Sequence, residues 1–407
     1  MKLLWVKTDF LHPTTRGGQI RTLEMVRQLH RHHEVHYVAF HDDSKHDANG
    51  TEGSRRSSEY CSFAYPVPHR PIPKTSIRFA GQLASGLVSS LPVAGMRWRS
   101  QAMRATIDDL LSKHRFDAKI CDFLFPSINI GDLSDWVLFQ HNVETVIWER
   151  HAESGRTPVH RAYFQLQAKR MFEWEKSVCQ TAAHVVAVSE ADEKTMQNRF
   201  GIRKTSSVPT GVDLEYFQRP SDTGVQRDLV FVGSMDWMPN IDGMRWFLDE
   251  VFPLIRSKLP ACSLAIVGRN PPAAILSEAA DPLITVTGTV PDVRPFLWNS
   301  ALSIVPLRVG GGTRLKIFEA MAAGTPVVST TIGAEGLPLR HGETIRIGDF
   351  AQDFANECLL LLEDRATREN MTQDGLALIR SKFSWEQVTR SFEHALLAAR
   401  KPISRTA

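Results

Sequence analysis

Short apolar runs of strand length alternate with helix-patterned stretches along this chain, and the alternation occurs twice. In the first half the runs are Leu3–Thr8, Val35–Phe40, Ala118–Phe123, Trp136–His141 and His184–Ser189. Helical periodicity covers Gln19–His32, Ser100–His114 and Arg161–Gln180. Repeated β-then-α units predict a parallel sheet with helices on both faces. Pro209–Asp213 and the polar stretch Gln218–Arg227 interrupt the pattern and read as a linker. It then restarts with Leu229–Gly233, Ser263–Gly268, Ile284–Gly288, Ala301–Leu307 and Val327–Thr330. Helices are expected over Asn240–Lys258, Pro291–Ser300 and Thr313–Ala323. A chain of 407 residues holds two such units. We expect residues 1–210 to form one domain and 211–384 the other. Ser384–Gln387 reads as a capping box opening a last helix over 385–407, with Trp385, Val388, Phe392, Ala395 and Ala399 along one face. Open α/β sheets bind ligands beyond the carboxyl ends of their strands, so chemistry is expected just after each run.

Composition narrows the function. Hydrophobic content of 43% and 23% charge are those of an ordinary globular protein, and a net charge of +3 gives no footprint for nucleic acid. Five dispersed cysteines without a C-x-x-C pair point to a reducing compartment and against a zinc or disulfide framework. The N-terminus does not read as a signal peptide, and no apolar run approaches the roughly 20 residues of a membrane span. The expected location is cytoplasmic. Asp42–Ser58 is polar and is expected to be a mobile loop.

Ligand chemistry concentrates at Gly310–Glu319. Thr313 reads as an N-cap, Leu315, Phe318, Met321 and Ala322 recur at helical spacing, and Gly324 suits the residue after the helix. Arg314 and Lys316 then occupy the first turn, against the positive end of the helix dipole, at a cost of about 0.3–1 kcal/mol each. A bound anion reverses that sign, and Gly311, Gly312 and Thr313 would present backbone N–H groups to a phosphate. Glu319, further along the helix, could accept hydrogen bonds from a sugar diol. The whole reads as a nucleotide-phosphate site.

Gly312–Ser329 resembles the donor-binding segment of GT-B glycosyltransferases, most closely the retaining family 4 type, and weaker blocks extend the resemblance over nearly the whole chain. It implies an α/β fold of GT-B architecture: two Rossmann-like domains with parallel sheets facing a central cleft, the last helix packing back on the first domain. It implies transfer of a sugar from a nucleotide-diphosphate sugar to a glycan or lipid-linked acceptor, with no metal and no separate cofactor. Gly17 and Gly18 match its N-terminal glycine loop, and His141 a histidine-bearing cleft segment. Gly233 and Ser234 fall where its members meet the donor diphosphate, and Glu319 where they hold the ribose; Arg269 and Val290 close two further strand runs, a position that suggests a base pocket built mostly from backbone. His141, Arg314 and Lys316 are the expected catalytic groups.

Two departures stand out. Many members carry an arginine just after the Gly233 position and a lysine a few residues on; here Ser234 and Pro239-Asn240 stand there. Arg314 and Lys316 are the expected substitutes for the missing cations. The first glutamate of the family's paired motif falls on Gly311, which leaves a same-fold epimerase and a catalytically silent sugar-nucleotide binder as alternatives. The absence of G-x-G-x-x-G lowers a dehydrogenase reading. Arg70, Lys74, Arg78, Arg97, Arg99 and Arg104 flank the mildly apolar Phe79–Met96 stretch, a pattern that can dock peripherally on the inner membrane face.

Overall fold

The computed structural model describes residues 1–14, 17–45, 47, 50–70, 72, 76, 81, 86, 89–153, 157–309 and 315–399. The chain divides into two compact units, Met1–Pro209 with the chain from Val388 on, and Thr210–Gln387.

The first unit is built on β1 (Lys2–Val6), β2 (Glu34–His41), β3 (Phe63–Pro68), β4 (Ala118–Asp122), β5 (Val137–Phe139), β6 (His184–Ala187) and β7 (Thr205–Ser207). Their order is β3-β2-β1-β4-β5-β6-β7, and every pairing is parallel. Trp5 lies opposite Tyr37 on one side and Ile120 on the other. Chain order reverses between β1 and β4, the switch point at which ligands bind in such sheets.

The second unit contains β8 (Arg227–Val232), β9 (Leu264–Val267), β10 (Ile284–Val286), β11 (Ser300–Val305), β12 (Val327–Ser329) and β13 (Arg346–Ile347), in the order β10-β9-β8-β11-β12-β13. Its switch point lies between β8 and β11. Alternate residues feed two cores. Leu229, Phe231, Leu264, Ile266, Leu302 and Ile304 fill one, while Val230, Ala265, Val267 and Val305 fill the other. Burial on both faces explains the continuous apolar runs of these strands.

Each strand expected from sequence is present; β2 runs one residue further than expected, and the others are shorter by one or two residues at the carboxyl end. The single helix expected over Asn240–Lys258 is instead Met238–Trp246, a π turn over Phe247–Val251, and Phe252–Lys258. Pro253 has no N–H for the carbonyl of Asp249, and widening the turn accommodates that loss. The helix expected over Pro291–Ser300 shrinks to Arg294–Trp298. The expected mobile stretch Asp42–Ser58 carries a helix at Thr51–Arg55 and a turn at Ser57–Glu59. Local pairs Arg55–Glu52 (2.9 Å) and Arg56–Glu59 (2.6 Å) brace it.

The last helix, Trp385–Ala398, is capped by Ser384, whose Oγ accepts from the Gln387 N–H at 3.3 Å. Phe392 is fully buried within the first unit, against Trp5 and Phe139.

Candidate functional site

In the second unit two loops and a helix meet at the carboxyl end of the sheet. Gly233 and Ser234 follow β8, Gly268 and Arg269 follow β9, and the helix Leu315–Ala322 follows β11. The two loops touch so closely that a Cβ on Gly268 would lie 1.8 Å from the Gly233 carbonyl oxygen. Arg269 donates from Nε to Ser234 Oγ at 2.8 Å and pairs with Asp236 at 3.2 Å. Ser234 also donates to Asp236, and Asn270, in the left-handed region at φ +53°, donates to the same carboxylate.

Lys316 stands in the first turn of its helix and reaches back to β8. Its Nζ donates to Asn240 Oδ1 at 2.8 Å and sits 4.5 Å from the centre of the Phe231 ring. Asn240 in turn donates from Nδ2 to the Ser234 carbonyl at 2.7 Å. A Cβ on Gly233 would come within 2.7 Å of that Nζ, so only glycine leaves the ammonium its place. Glu319 follows one helical turn later. Burial raises its carboxyl above the ordinary value, and Lys316 pulls it back. Gly324, at φ +71°, ends the segment as expected. Gly311, Gly312, Thr313 and Arg314 lie outside the described residues. Val290 is half-buried and packs against the hydrophobic core of this unit.

In the first unit the polar groups gather on Asp122, the last residue of β4, which is fully buried. Its Oδ1 accepts from Lys7 Nζ (3.0 Å) and His141 Nε2 (2.6 Å), and its Oδ2 from Trp5 Nε1 and Thr22 Oγ1 (both 2.8 Å). Burial alone would push this carboxyl up, but Lys7 and His141 outweigh it and hold it well below the usual range. Burial pushes the His141 imidazole down to about 4; Asp122 opposes the shift, while Lys7 and Arg21 add to it.

Gly17 and Gly18 open the helix Gly17–His30, and a Cβ on Gly18 would meet His141 Nδ1 at 3.6 Å. The buried Arg21 guanidinium lies 4.3 Å over Phe139 and donates to the carbonyls of Gln140 and Val208. On the far side of this loop, buried Glu175 accepts from the backbone N–H groups of Glu144 (3.0 Å) and Thr145 (2.8 Å) and from Gln140 Nε2 (3.1 Å). A carboxylate thereby caps the helix Glu144–Glu153 from outside it.

Among the sequence candidates, the structure brings Gly18 to His141, Gly233 to Lys316, and Ser234 to Arg269. Sequence reasoning passed over Asp122, Lys7 and Glu175. The signal for the first two was available: a carboxylate and a cation at the carboxyl ends of neighbouring strand runs. Of the flanking basic residues, Arg70 pairs with Asp42 (3.1 Å) and Arg104 with Asp108 (3.9 Å), while Lys74 and Arg78 lie outside the described residues. Among the described residues no helix is long and apolar enough to cross a membrane.

Known families match both units. Residues 15–216 match Glycosyltransferase Family 4, and residues 226–364 match Glycosyl transferases group 1. The chain belongs to the group 1, family 4-like glycosyltransferases. A Klebsiella pneumoniae protein described as an uncharacterized 44.6 kDa protein in the cps region is 20% identical over 404 residues, covering 96% of this chain and 98% of its own length. The D-inositol 3-phosphate glycosyltransferase of Paenarthrobacter aurescens is 27% identical over 255 residues, 58% of this chain and 60% of that protein. Among solved structures, sucrose-phosphate synthase from Thermosynechococcus elongatus superposes with a TM-score of 0.64 at 17% identity, covering 98% of this chain and all of the other. The Anabaena protein HepE, solved with UDP, gives a TM-score of 0.63 at 12% identity, with 98% and 100% covered. The fold is α/β with two parallel sheets, as in these GT-B enzymes.

Proposed function

We propose that this glycosyltransferase takes its sugar from a nucleoside-diphosphate donor and passes it, with retention of configuration, to a hydroxyl of a glycan or lipid-linked glycan. The observation that carries the donor assignment is Lys316. It lodges against Gly233 at the switch point of the second sheet, with Glu319 one turn beyond. A lysine supplied from the helix after β11 stands beside the strand end where the family's own cations are missing. The UDP bound by the similar Anabaena protein supports the same donor class.

In this reading Lys316 and Arg314, with backbone N–H groups of the glycine loop, take up charge on the leaving diphosphate. Glu319 holds the ribose diol. Arg269 and Ser234 border the donor, and His141 meets a hydroxyl of the transferred sugar. The bond from the anomeric carbon to the diphosphate oxygen breaks as the acceptor oxygen attacks from the same face. The acceptor proton passes to the departing phosphate, so no protein nucleophile is needed. A lipid-linked acceptor would be met at the inner membrane face, with Arg97, Arg99 and Arg104 as the candidate contacts.

A thermal-shift screen against UDP, GDP, dTDP, ADP, CMP and NAD, with and without magnesium, tests the donor site. Selective stabilisation by one nucleoside diphosphate, reduced in Lys316→Met, is expected. Stabilisation by NAD alone, or by nothing, would remove the assignment. Nucleotide binding without transfer or slow donor hydrolysis would point to the silent homologue, and free sugar product to the epimerase. The anomeric configuration of the product decides retention.

A further inference from the structure

The Asp122 carboxylate is saturated. Two oxygens offer about four acceptor positions, and Lys7, His141, Trp5 and Thr22 occupy four. It is fully buried and has no capacity left for a substrate hydroxyl or a proton in transit. Its strand end is also strained. The next residue, Phe123, adopts φ +84°, a left-handed value that a bulky side chain rarely takes. That turn is held by the Phe123 N–H donating to the Phe139 carbonyl at 2.7 Å, and the Phe123 ring then meets His141 edge-on.

An ionised carboxylate only accepts, so the 2.6 Å contact makes His141 Nε2 the donor. A neutral imidazole then carries its lone pair on Nδ1, the atom facing Gly18. Among the described residues nothing hydrogen-bonds to that Nδ1. The charged groups around the ring are Asp122 from β4, Lys7 from the end of β1 and Arg21 from the helix Gly17–His30. Lys7 already neutralises Asp122, and Arg21 adds a second cation, so a third charge on the ring is disfavoured.

We propose that Asp122 is a positioning residue for glycosyl transfer: it locks His141 in the Nε2–H tautomer and so presents Nδ1, beside Gly18, as a fixed acceptor for one donating hydroxyl of the transferred sugar. This rests on the assignment of His141 to the sugar in the proposed function. It adds which nitrogen acts, in which protonation state, and what fixes it. A sugar lacking that hydroxyl, or offering only an acceptor there, would leave Nδ1 unmatched, so the same lock selects among donors.

The test is nitrogen-15 NMR of the full chain labelled at histidine, with the His141 signals identified by their loss in His141→Gln. The expected result is a protonated Nε2 and a bare Nδ1, unchanged from about pH 8 to about pH 5.5, where an ordinary histidine would titrate. In Lys7→Met the protonation midpoint of His141 should rise, because a cation beside it has gone. In Asp122→Asn the tautomer lock should be lost, with kcat down about 10–100-fold and a smaller change in the donor KM.

A wild-type His141 that titrates normally, or that carries its proton on Nδ1, overturns the proposal. So does an Asp122→Asn protein that keeps both the tautomer and full kcat. Should Asp122→Asn fail to fold, the wild-type and Lys7→Met spectra still decide. Nucleotide binding without this tautomer keeps the donor assignment and discards the lock; the tautomer without nucleotide binding does the reverse.

Discussion

Gly233 and Gly268 face each other across two touching loops, yet substitution at each should fail differently. A methyl on Gly268 would meet a carbonyl oxygen of the backbone at 1.8 Å, and neither loop can yield without losing strand-end hydrogen bonds. Gly268→Ala should therefore destabilise the protein by more than about 2 kcal/mol, read from its urea midpoint. A methyl on Gly233 meets side chains rather than backbone: Lys316 Nζ at 2.7 Å, Asn240 Nδ2 at 2.9 Å and the buried Phe231 ring at 2.9 Å. The lysine can swing aside. We expect Gly233→Ala to lose less stability than Gly268→Ala but to bind nucleoside diphosphate about 10–100-fold more weakly, as Lys316→Met should, because each removes a charge-assisted contact. Calorimetric titration of both variants checks this. Unchanged affinity in both would detach Lys316 from the diphosphate.

At the scale of elements, the sequence was legible wherever a strand is buried on both faces. The runs that became β1, β2, β4, β8 and β11 are dominated by apolar residues because both sides pack, with only single polar residues such as His36, Lys119 and Ser303 inside them. The strands that escaped notice, β3, β7 and β13, all lie at sheet edges. β3 carries Pro66 and Pro68, which an edge tolerates, and an exposed Phe63; β7 is Thr-Ser-Ser; β13 has two residues. Pairing with one neighbour made them strands, and nothing in their own pattern announces it.

The site divides in the same way. Lys316 and Glu319 stood out in the sequence because helix spacing and dipole electrostatics act locally. Asp122 and Lys7 meet His141 only through sheet order, and Glu175 reaches the His141 loop from a separate helix, so their roles are three-dimensional facts. The last helix shows how far local signals carry. Its capping box and apolar stripe were readable, but its partners Trp5 and Phe139 were not. Phe392→Ala should cost about 3–5 kcal/mol, since the ring is fully buried against both. A loss below about 1 kcal/mol would mean that this helix does not anchor the first unit.

For the whole molecule, stability against pH should carry opposed contributions from two residues three apart in one loop. His141 is held at about 4, below its unfolded value, chiefly by burial. The unfolded chain therefore takes up the proton first, and stability falls as pH drops from about 6.5 to about 4, by about 2–3 kcal/mol. Glu144 is raised to about 7 by burial and by the Glu175 carboxylate. Here the folded chain takes up the proton first. Its contribution is full below about pH 4.5 and is lost as pH rises through about 7, again by about 2–3 kcal/mol. Between pH 4.5 and 6.5 the two slopes oppose, so the wild-type curve hides both, and other histidines add their own terms. Differences from wild type isolate each. Glu144→Gln imitates the protonated acid, and should be more stable than wild type at about pH 8 with the advantage closing by about pH 5. His141→Gln keeps a donor for Asp122 without titrating, and should gain on wild type as pH falls from about 6.5 to about 4.5. Urea midpoints of the three proteins across this range measure both slopes. A constant offset for either variant would show that its residue titrates alike in the folded and unfolded chain, and that the loop carries no buried charge balance at that position.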